Sequence, residues 1–202
     1  MLRAALLSLL VMTFTIPAFA EGENVIKSDN PHIQKAQDKA VDIAKTFTPA
    51  ELENLGIIKD GFGIINAVQM TNKSVGTTVK KCGQENPEMK TEMDARYNEW
   101  KSGVISVLGT KEKEMNAAIN DGRFSKPKEV TTFLDLLDKA AQYAYDKMDK
   151  RPLTTPSACE ALRDKMDDTA SKLEELMAEL KFPRAIPKEK PEVTAPKEGA
   201  NE

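Results

Sequence analysis

Apolar residues recur at intervals of three and four along most of the chain, which is the period of an α-helix with one apolar face. The clearest such pattern lies near the C-terminus, between a cap at Thr155-Pro156 and a stop at Phe182-Pro183. Its apolar-face positions are Cys159, Leu162, Met166, Thr169, Leu173, Leu176 and Leu180. An unbroken seam of this kind is typical of a helix that packs lengthwise against other helices.

The sequence predicts two helix starts near the N-terminus. Asn30-Pro31 combines a capping residue with a first-turn proline. The helix it begins has its apolar face at Ile33, Ala36, Ala40, Ala44 and Phe47. Thr48-Pro49-Ala50-Glu51 is a capping box, and we expect the short turn that it starts to stop near Gly56.

The segment 57–82 has two interpretations. Ile65, Val68, Val75, Val79 and Cys82 fall at helical intervals, which favours a second long helix. Its glycines and β-branched residues have low helix propensity, so a hairpin that turns at Asn72-Lys73-Ser74 is the alternative. We favour the helix.

Two further helices are predicted in the middle of the chain. Asn86-Pro87-Glu88 begins one whose stripe is Met89, Met93, Tyr97, Trp100, Val104 and Val107. We expect a kink or restart at Gly109-Thr110 and an end at Asn120-Asp121-Gly122. The next helix covers residues 128–150, with an inner face of Val130, Phe133, Leu134, Leu137, Ala141, Ala144 and Met148.

The first twenty residues indicate export. Arg3 precedes an apolar run over residues 4–16, Pro17 breaks the run, and Ala18-Phe19-Ala20 fits a cleavage site. A retained membrane anchor is the alternative, but the run is short for a membrane span, which needs about 20 apolar residues. We therefore divide the chain into a signal peptide (1–20), a helical domain (21–182) and a disordered tail rich in Pro, Lys and Glu (183–202), and predict periplasmic or secreted localisation without a stable membrane anchor.

Two cysteines, Cys82 and Cys159, are the only ones in the chain. In an exported protein they predict a disulfide, worth about 4.5 kcal/mol for the loop between them in the chain-entropy model. Free thiols or a metal site are the alternatives, but no further metal ligands lie near either cysteine.

Cysteine placement also favours one topology. In an up-down bundle the end of the second long segment and the start of the last helix meet at one pole, and both cysteines lie on apolar stripes. We therefore predict an all-α, up-down bundle of four to five helices closed by one disulfide. The full chain has a formal net charge of −3, and no basic block stands apart from acidic residues, so nucleic acid is not an expected partner.

Candidate chemistry is sparse. His32 is the only histidine, and no nucleophile or metal-ligand spacing includes it. Gly61-Phe62-Gly63 is a very weak match to a phosphate loop, and a flexible connection explains it more simply. The carboxylates of the last helix alternate with lysines, as on a solvated helix face. We predict no cofactor, no metal and no catalytic residue.

These observations favour a non-catalytic protein that binds another protein, in a chaperone-like, partner-binding or structural role in the cell envelope. Met89, Met93 and Trp100 share one stripe, for which core packing and an adaptable contact surface are the two interpretations. We name these three as the candidate binding surface. A bundle that binds haem or another small ligand, and an envelope hydrolase with an unrecognised site, are the alternative functions.

Overall fold

The computed structural model describes residues 29–148 and 154–183, and within these ranges all regular secondary structure is helical. The predicted all-α fold class is therefore confirmed. The helices are α1 (Pro31–Thr46), α2 (Pro49–Glu85), α3 (Lys90–Asn120), α4 (Pro127–Lys147) and α5 (Pro156–Glu179), with a short 3-10 turn (Pro87–Met89) before α3. The predicted signal peptide lies outside the described residues, and so does the predicted tail after Pro183.

Side-chain caps start three of these helices where the sequence predicts them. The Asn30 side chain accepts a hydrogen bond from the His32 amide at the start of α1. Thr48 and Glu51 form a capping box at α2, and the Thr155 hydroxyl accepts a hydrogen bond from the Ala158 amide at α5. Each cap satisfies amide donors that the first helical turn leaves unpaired.

Helix α2 is continuous over 37 residues, so both the expected stop near Gly56 and the hairpin at Asn72-Lys73-Ser74 are wrong. The glycines that suggested a break are places where other parts of the chain approach closely. A Cβ on Gly61 would lie 2.7 Å from Phe182 Cζ, and one on Gly76 would lie 2.5 Å from the Tyr97 hydroxyl oxygen. Packing of these rings offsets the low helix propensity of glycine.

The faces of the later helices differ in detail from the predicted stripes. Helix α3 continues through Gly109 and Thr110, so the predicted restart there is wrong. On α4, Ala144 and Met148 are exposed rather than on an inner face. On α5, Leu176 is 37% exposed and Met177 only 1% exposed. A straight helix drifts relative to a strict heptad, so the buried face moves from Leu176 to its neighbour.

Helices α2, α3 and α5 form a three-helix unit. Helix α3 runs antiparallel to α2: the Tyr97 hydroxyl donates to Asn72 Oδ1 (3.0 Å). Helix α5 runs parallel to α3, since Arg163 pairs with Glu92 (3.2 Å) near their starts and Lys111 Nζ donates to the Leu180 carbonyl (2.9 Å) near their ends. The most extensive contacts between helices are those of α3 with α2 and of α3 with α5.

Helices α1 and α4 form a separate antiparallel helix pair. Asn30 Nδ2 donates to the Ala140 carbonyl (2.8 Å) at one end, and Lys39 pairs with Glu129 toward the other. Helix α4 also lies along α2, where Lys73 Nζ donates to Gln142 Oε1 (3.3 Å). The backbone of α4 comes closest to α1, and buried side chains of the pair, among them Ile43 and Val130, belong to the same hydrophobic core as Ile58 of α2.

The disulfide lies at one end of the three-helix unit. Cys82 and Cys159 are fully buried at disulfide-bonding distance, with Cα atoms 5.9 Å apart, as predicted. Asn86 is buried beside them and donates to the carbonyls of Cys82 (3.1 Å) and Thr154 (2.8 Å). The end of α2 and the start of α5 are thus joined both covalently and through the Asn86 amide.

Polar side chains hold the opposite end together. Glu51 accepts hydrogen bonds from the amides of Ser125 (2.6 Å) and Thr48 (2.8 Å), which lower its pKa to about 2. Arg123 pairs with Asp121 and donates to the Pro183 carbonyl (3.1 Å). The segment after α5 is therefore anchored through Pro183, the first residue of the predicted tail.

Candidate binding groove

The three residues predicted as a binding surface do not form one. Met93 and Trp100 are only 1% and 4% exposed, and Met89 is half-buried against the same core. Their stripe on α3 therefore packs inside the protein. The predicted surface is corrected accordingly: methionine and tryptophan side chains suit core packing as well as binding.

A concavity of about 300 Å³ opens where α4 meets α2 and α3. Its apolar lining comes from all three helices: Phe62 from α2, Met115 and Ile119 from α3, and Leu134 from α4. Met115, Ile119 and Leu134 also belong to the buried core. The floor of this groove is therefore a continuation of the hydrophobic core to the surface.

Polar side chains form the edges of the groove. Gln69 lies on the α2 edge, Asn116 on the α3 edge, and Thr131, Asp135 and Asp138 on the α4 edge. Gln69 Nε2 donates to Glu112 Oε1 (2.5 Å) and so links two of the helices beside the opening. An apolar floor with a polar edge is the usual composition of a protein binding site.

Asn66 and Asp138 give the α4 edge its electrostatic character. Asn66 is only 5% exposed and donates its amide to Asp138 Oδ1 (3.2 Å). Asp138 forms no ion pair with any residue in the two described ranges, whereas Asp135 pairs with Lys139 (2.6 Å). The groove therefore carries a half-buried carboxylate that a hydrogen bond orients and that no cation within the described part of the chain neutralises.

A second concavity, of about 460 Å³, is less suited to binding. Asn98, Lys101, Ser102, Ile105 and Ser106 line it, and all five lie on α3. A hollow bounded by one helix cannot enclose a ligand from several sides. We therefore regard the groove between α2, α3 and α4 as the candidate site.

The other residues singled out from the sequence lie apart from the groove, with one exception. His32 is on α1, where its ring meets the edge of Tyr143 at 6.3 Å between centroids. The motif Gly61-Phe62-Gly63 lies within α2 and is neither a phosphate loop nor a flexible connection. Its Phe62 is the exception, because it lines the groove.

Three of the seven acidic residues of α5 pair with nearby cations, as on a solvated helix face, and one of these pairs joins Asp167 to Arg96 of α3 (3.8 Å). Asp164 pairs with Arg163 (3.0 Å) and Asp168 with Lys165 (3.4 Å).

Within the described part of the chain, no group of three or more His, Cys, Asp or Glu residues is arranged to hold a metal ion. No helix in that part is both long and apolar enough to cross a membrane.

No family model, no curated protein and no solved structure matches this chain. The residues of the groove itself are therefore the basis for its interpretation.

Proposed function

We propose that this chain is an exported, non-catalytic binding protein that holds an apolar segment of a protein partner in the groove between α2, α3 and α4. One observation carries this proposal: an opening with polar edges has an apolar floor that is continuous with the hydrophobic core. The floor residues are Phe62, Met115, Ile119 and Leu134. Met115, Ile119 and Leu134 are each at most 6% exposed and Phe62 is half-buried, so a partner side chain that enters here would cover mainly the Phe62 ring and remove its apolar surface from water.

The arrangement of helices supports a peptide-like ligand. Grooves walled by helices accept the apolar side chains of amphipathic segments, while the backbone of the segment stays near the polar edge. Here one wall belongs to the helix pair and the other to the three-helix unit. Walls from three helices can contact a bound segment from more than one side, as a partner-binding role requires.

Export is the second part of the proposal. We propose that residues 1–20 are removed and that an up-down bundle, stabilised by the Cys82–Cys159 disulfide, acts in the periplasm or outside the cell. Disulfides persist in such oxidising compartments. N-terminal sequencing of protein from the extracytoplasmic fraction tests this part: the expected first residue is Glu21, and a start at Met1 would contradict cleavage.

Two adjacent threonines of α4 provide a matched test of the groove. Thr131 lines it and Thr132 does not, yet both are exposed and both hydroxyls bond to the carbonyl four residues earlier. We expect Thr131→Trp to cover the opening and Thr132→Trp to leave it free. Partners captured by the native protein and identified by mass spectrometry should then be purified and titrated against both variants.

The expected result is loss of binding by Thr131→Trp, with Thr132→Trp close to the native protein. Equal binding by both variants would show that the partner contacts another surface, and the proposal would be wrong.

A small apolar ligand is a second candidate, favoured by one observation. The groove volume of about 300 Å³ lies at the lower limit of typical small-molecule pockets, about 300–1,000 Å³. Native mass spectrometry of protein isolated from its source would detect a bound small molecule as an added mass that Thr131→Trp removes.

A further inference from the structure

We infer that the groove selects segments in which an apolar residue is flanked by lysine or arginine, and that Asp138 receives the cation. This inference rests on the proposed function and adds the chemical class of the partner. Its basis is the juxtaposition of the apolar floor with an oriented carboxylate that lacks an ion-pair partner in the described ranges.

Asp138 is suited to this role by its surroundings. The buried Asn66 amide holds one carboxylate oxygen, so the side chain loses little conformational freedom when a ligand binds. The Asn66 amide is neutral and leaves the negative charge of Asp138 in place. A half-buried carboxylate interacts more strongly with a cation than an exposed one, because less water screens the pair.

Nearby charges also favour a basic segment. Asp135 lies one turn before Asp138 on the same edge, and Glu112 lies beside Gln69 on the opposite side. Lys139 is paired with Asp135, and Lys73 is directed to Gln142 and to the ring of Tyr145. Because Lys139 neutralises Asp135, and Lys73 contacts only neutral groups and keeps its charge, the three carboxylates outnumber the two lysines by one negative charge, which favours a positively charged ligand.

The neighbouring polar groups limit where the cation can bind. Thr131, two turns before Asp138 on the α4 edge, and Asn116 on the α3 edge offer neutral side chains. A segment whose apolar side chain enters between Phe62 and Leu134 would therefore find its strongest electrostatic partner on the Asp138 side. An acidic residue at the same place would be repelled by Asp138.

Two labelled peptides test the inference on the full chain. One is acetyl-Lys-Leu-Phe-Leu-Lys-amide with a fluorescent label, and the other replaces both lysines with glutamates. Fluorescence anisotropy at low salt should show at least tenfold tighter binding of the basic peptide. Asp138→Asn should weaken the basic peptide about fivefold, as expected for loss of one partly screened ion pair, and this difference should shrink as salt rises.

A control variant and a charge reversal exclude indirect effects. Asp60→Asn removes an exposed carboxylate of α2 outside the groove, and we expect it to bind the basic peptide within twofold of the native protein. Asp138→Lys should reverse the preference toward the acidic peptide. A reversed preference cannot result from partial unfolding, so it would support a direct role of residue 138.

The outcomes separate this inference from the proposed function. If Thr131→Trp blocks both peptides but the native protein binds them equally, the groove binds apolar segments and the charge selection is overturned. If neither peptide binds, or if Thr131→Trp changes nothing, the proposed function fails and the inference fails with it.

Discussion

The ring of Phe182 lies against Gly61, in the space that a Cβ at position 61 would need. This contact ties the residues after α5 to the middle of α2, far from the disulfide between Cys82 and Cys159. The two helices are thus fixed to each other at two separate places. Just beyond Phe182, the Pro183 carbonyl accepts a hydrogen bond from Arg123, which lies between α3 and α4.

The Gly61–Phe182 contact predicts opposite effects for two glycines of α2. A Cβ on Gly63 meets nothing within 4 Å, so Gly63→Ala should stabilise the protein by about 0.5–1 kcal/mol through helix propensity. Gly61→Ala should instead destabilise it by about 1–3 kcal/mol because the added methyl displaces the Phe182 ring. Urea denaturation of both variants measures these free energies of unfolding.

A double variant isolates the contact. In a Phe182→Ala background the space beside Gly61 is open, so Gly61→Ala should become stabilising, like Gly63→Ala. If Gly61→Ala is stabilising in the native background as well, the ring does not occupy this place in solution.

The buried face of α5 leads to a second prediction. Met177 is 1% exposed and Leu176 is 37% exposed, so Met177→Ala should lower the free energy of unfolding by about 2–5 kcal/mol. Leu176→Ala should cost clearly less, because part of its side chain stays in water in the folded protein. Equal losses would indicate that α5 is rotated or that Leu176 is covered in solution.

Leu176 and Met177 also show how far the sequence determines the fold. Spacing and caps predicted the five helical regions and the disulfide ends, because these signals are local or depend only on helix direction. The leucine seam of α5 follows a strict heptad and placed Leu176 inside. A straight helix has 3.6 residues per turn, so over several turns the partner helices decide which neighbour is buried.

The packing role of two glycines in α2 could not be predicted for a related reason. Gly61 and Gly76 argue against a long α2 when only propensity is considered, and their use becomes clear once Phe182 and Tyr97 lie against them. These partners are far apart in sequence from the glycines that they contact. Tertiary contacts of this kind have no signature in the spacing of residues along one segment.

Glu51 leads to a prediction about pH. The amide hydrogen bond from Ser125, followed by that from Thr48, lowers its pKa from 4.5 to about 2. Because the folded pKa is below the unfolded value, the stabilisation is complete above about pH 4.5 and is lost as the pH falls toward 2. It amounts to about 3 kcal/mol at most.

We therefore expect the stability difference between the native protein and Glu51→Gln to shrink steadily between pH 5 and pH 2. Denaturant unfolding at several pH values measures it. Glu53→Gln, at an exposed position on the same helix, is the control and should show no such difference. A gap of constant size across this range would mean that Glu51 is not held by these amides.

The disulfide predicts a large effect of reduction. The bond closes a sequence separation of 77 residues, so its loss should lower the free energy of unfolding by about 2–5 kcal/mol. Most of the helical circular dichroism should remain at low temperature, because the helix contacts persist. Thiol labelling of denatured, unreduced protein checks the bond itself, and two reactive thiols per chain would contradict it.

The candidate groove was much harder to predict than the helices. Leu134 was recognised as an inner-face residue, but nothing in the sequence distinguishes a core residue from one at the floor of an opening. Asn66 and Asp138 are 72 positions apart, and their pairing depends on how α4 lies along α2. The stripe that seemed most suited to binding, with Met93 and Trp100, is used for the core instead.

Site-specific photocrosslinking in the producing cell tests the binding groove most directly. A small diazirine side chain of about the size of leucine in place of Thr131 puts a reactive group at the groove without the bulk of the Trp variant, and in place of Thr132 it puts the same group on the adjacent, exposed position of α4. We predict crosslinks to a protein partner from position 131, at a Lys- or Arg-flanked apolar segment, and few or none from position 132. Equal crosslinking at both positions, or none at 131, would contradict binding in this groove.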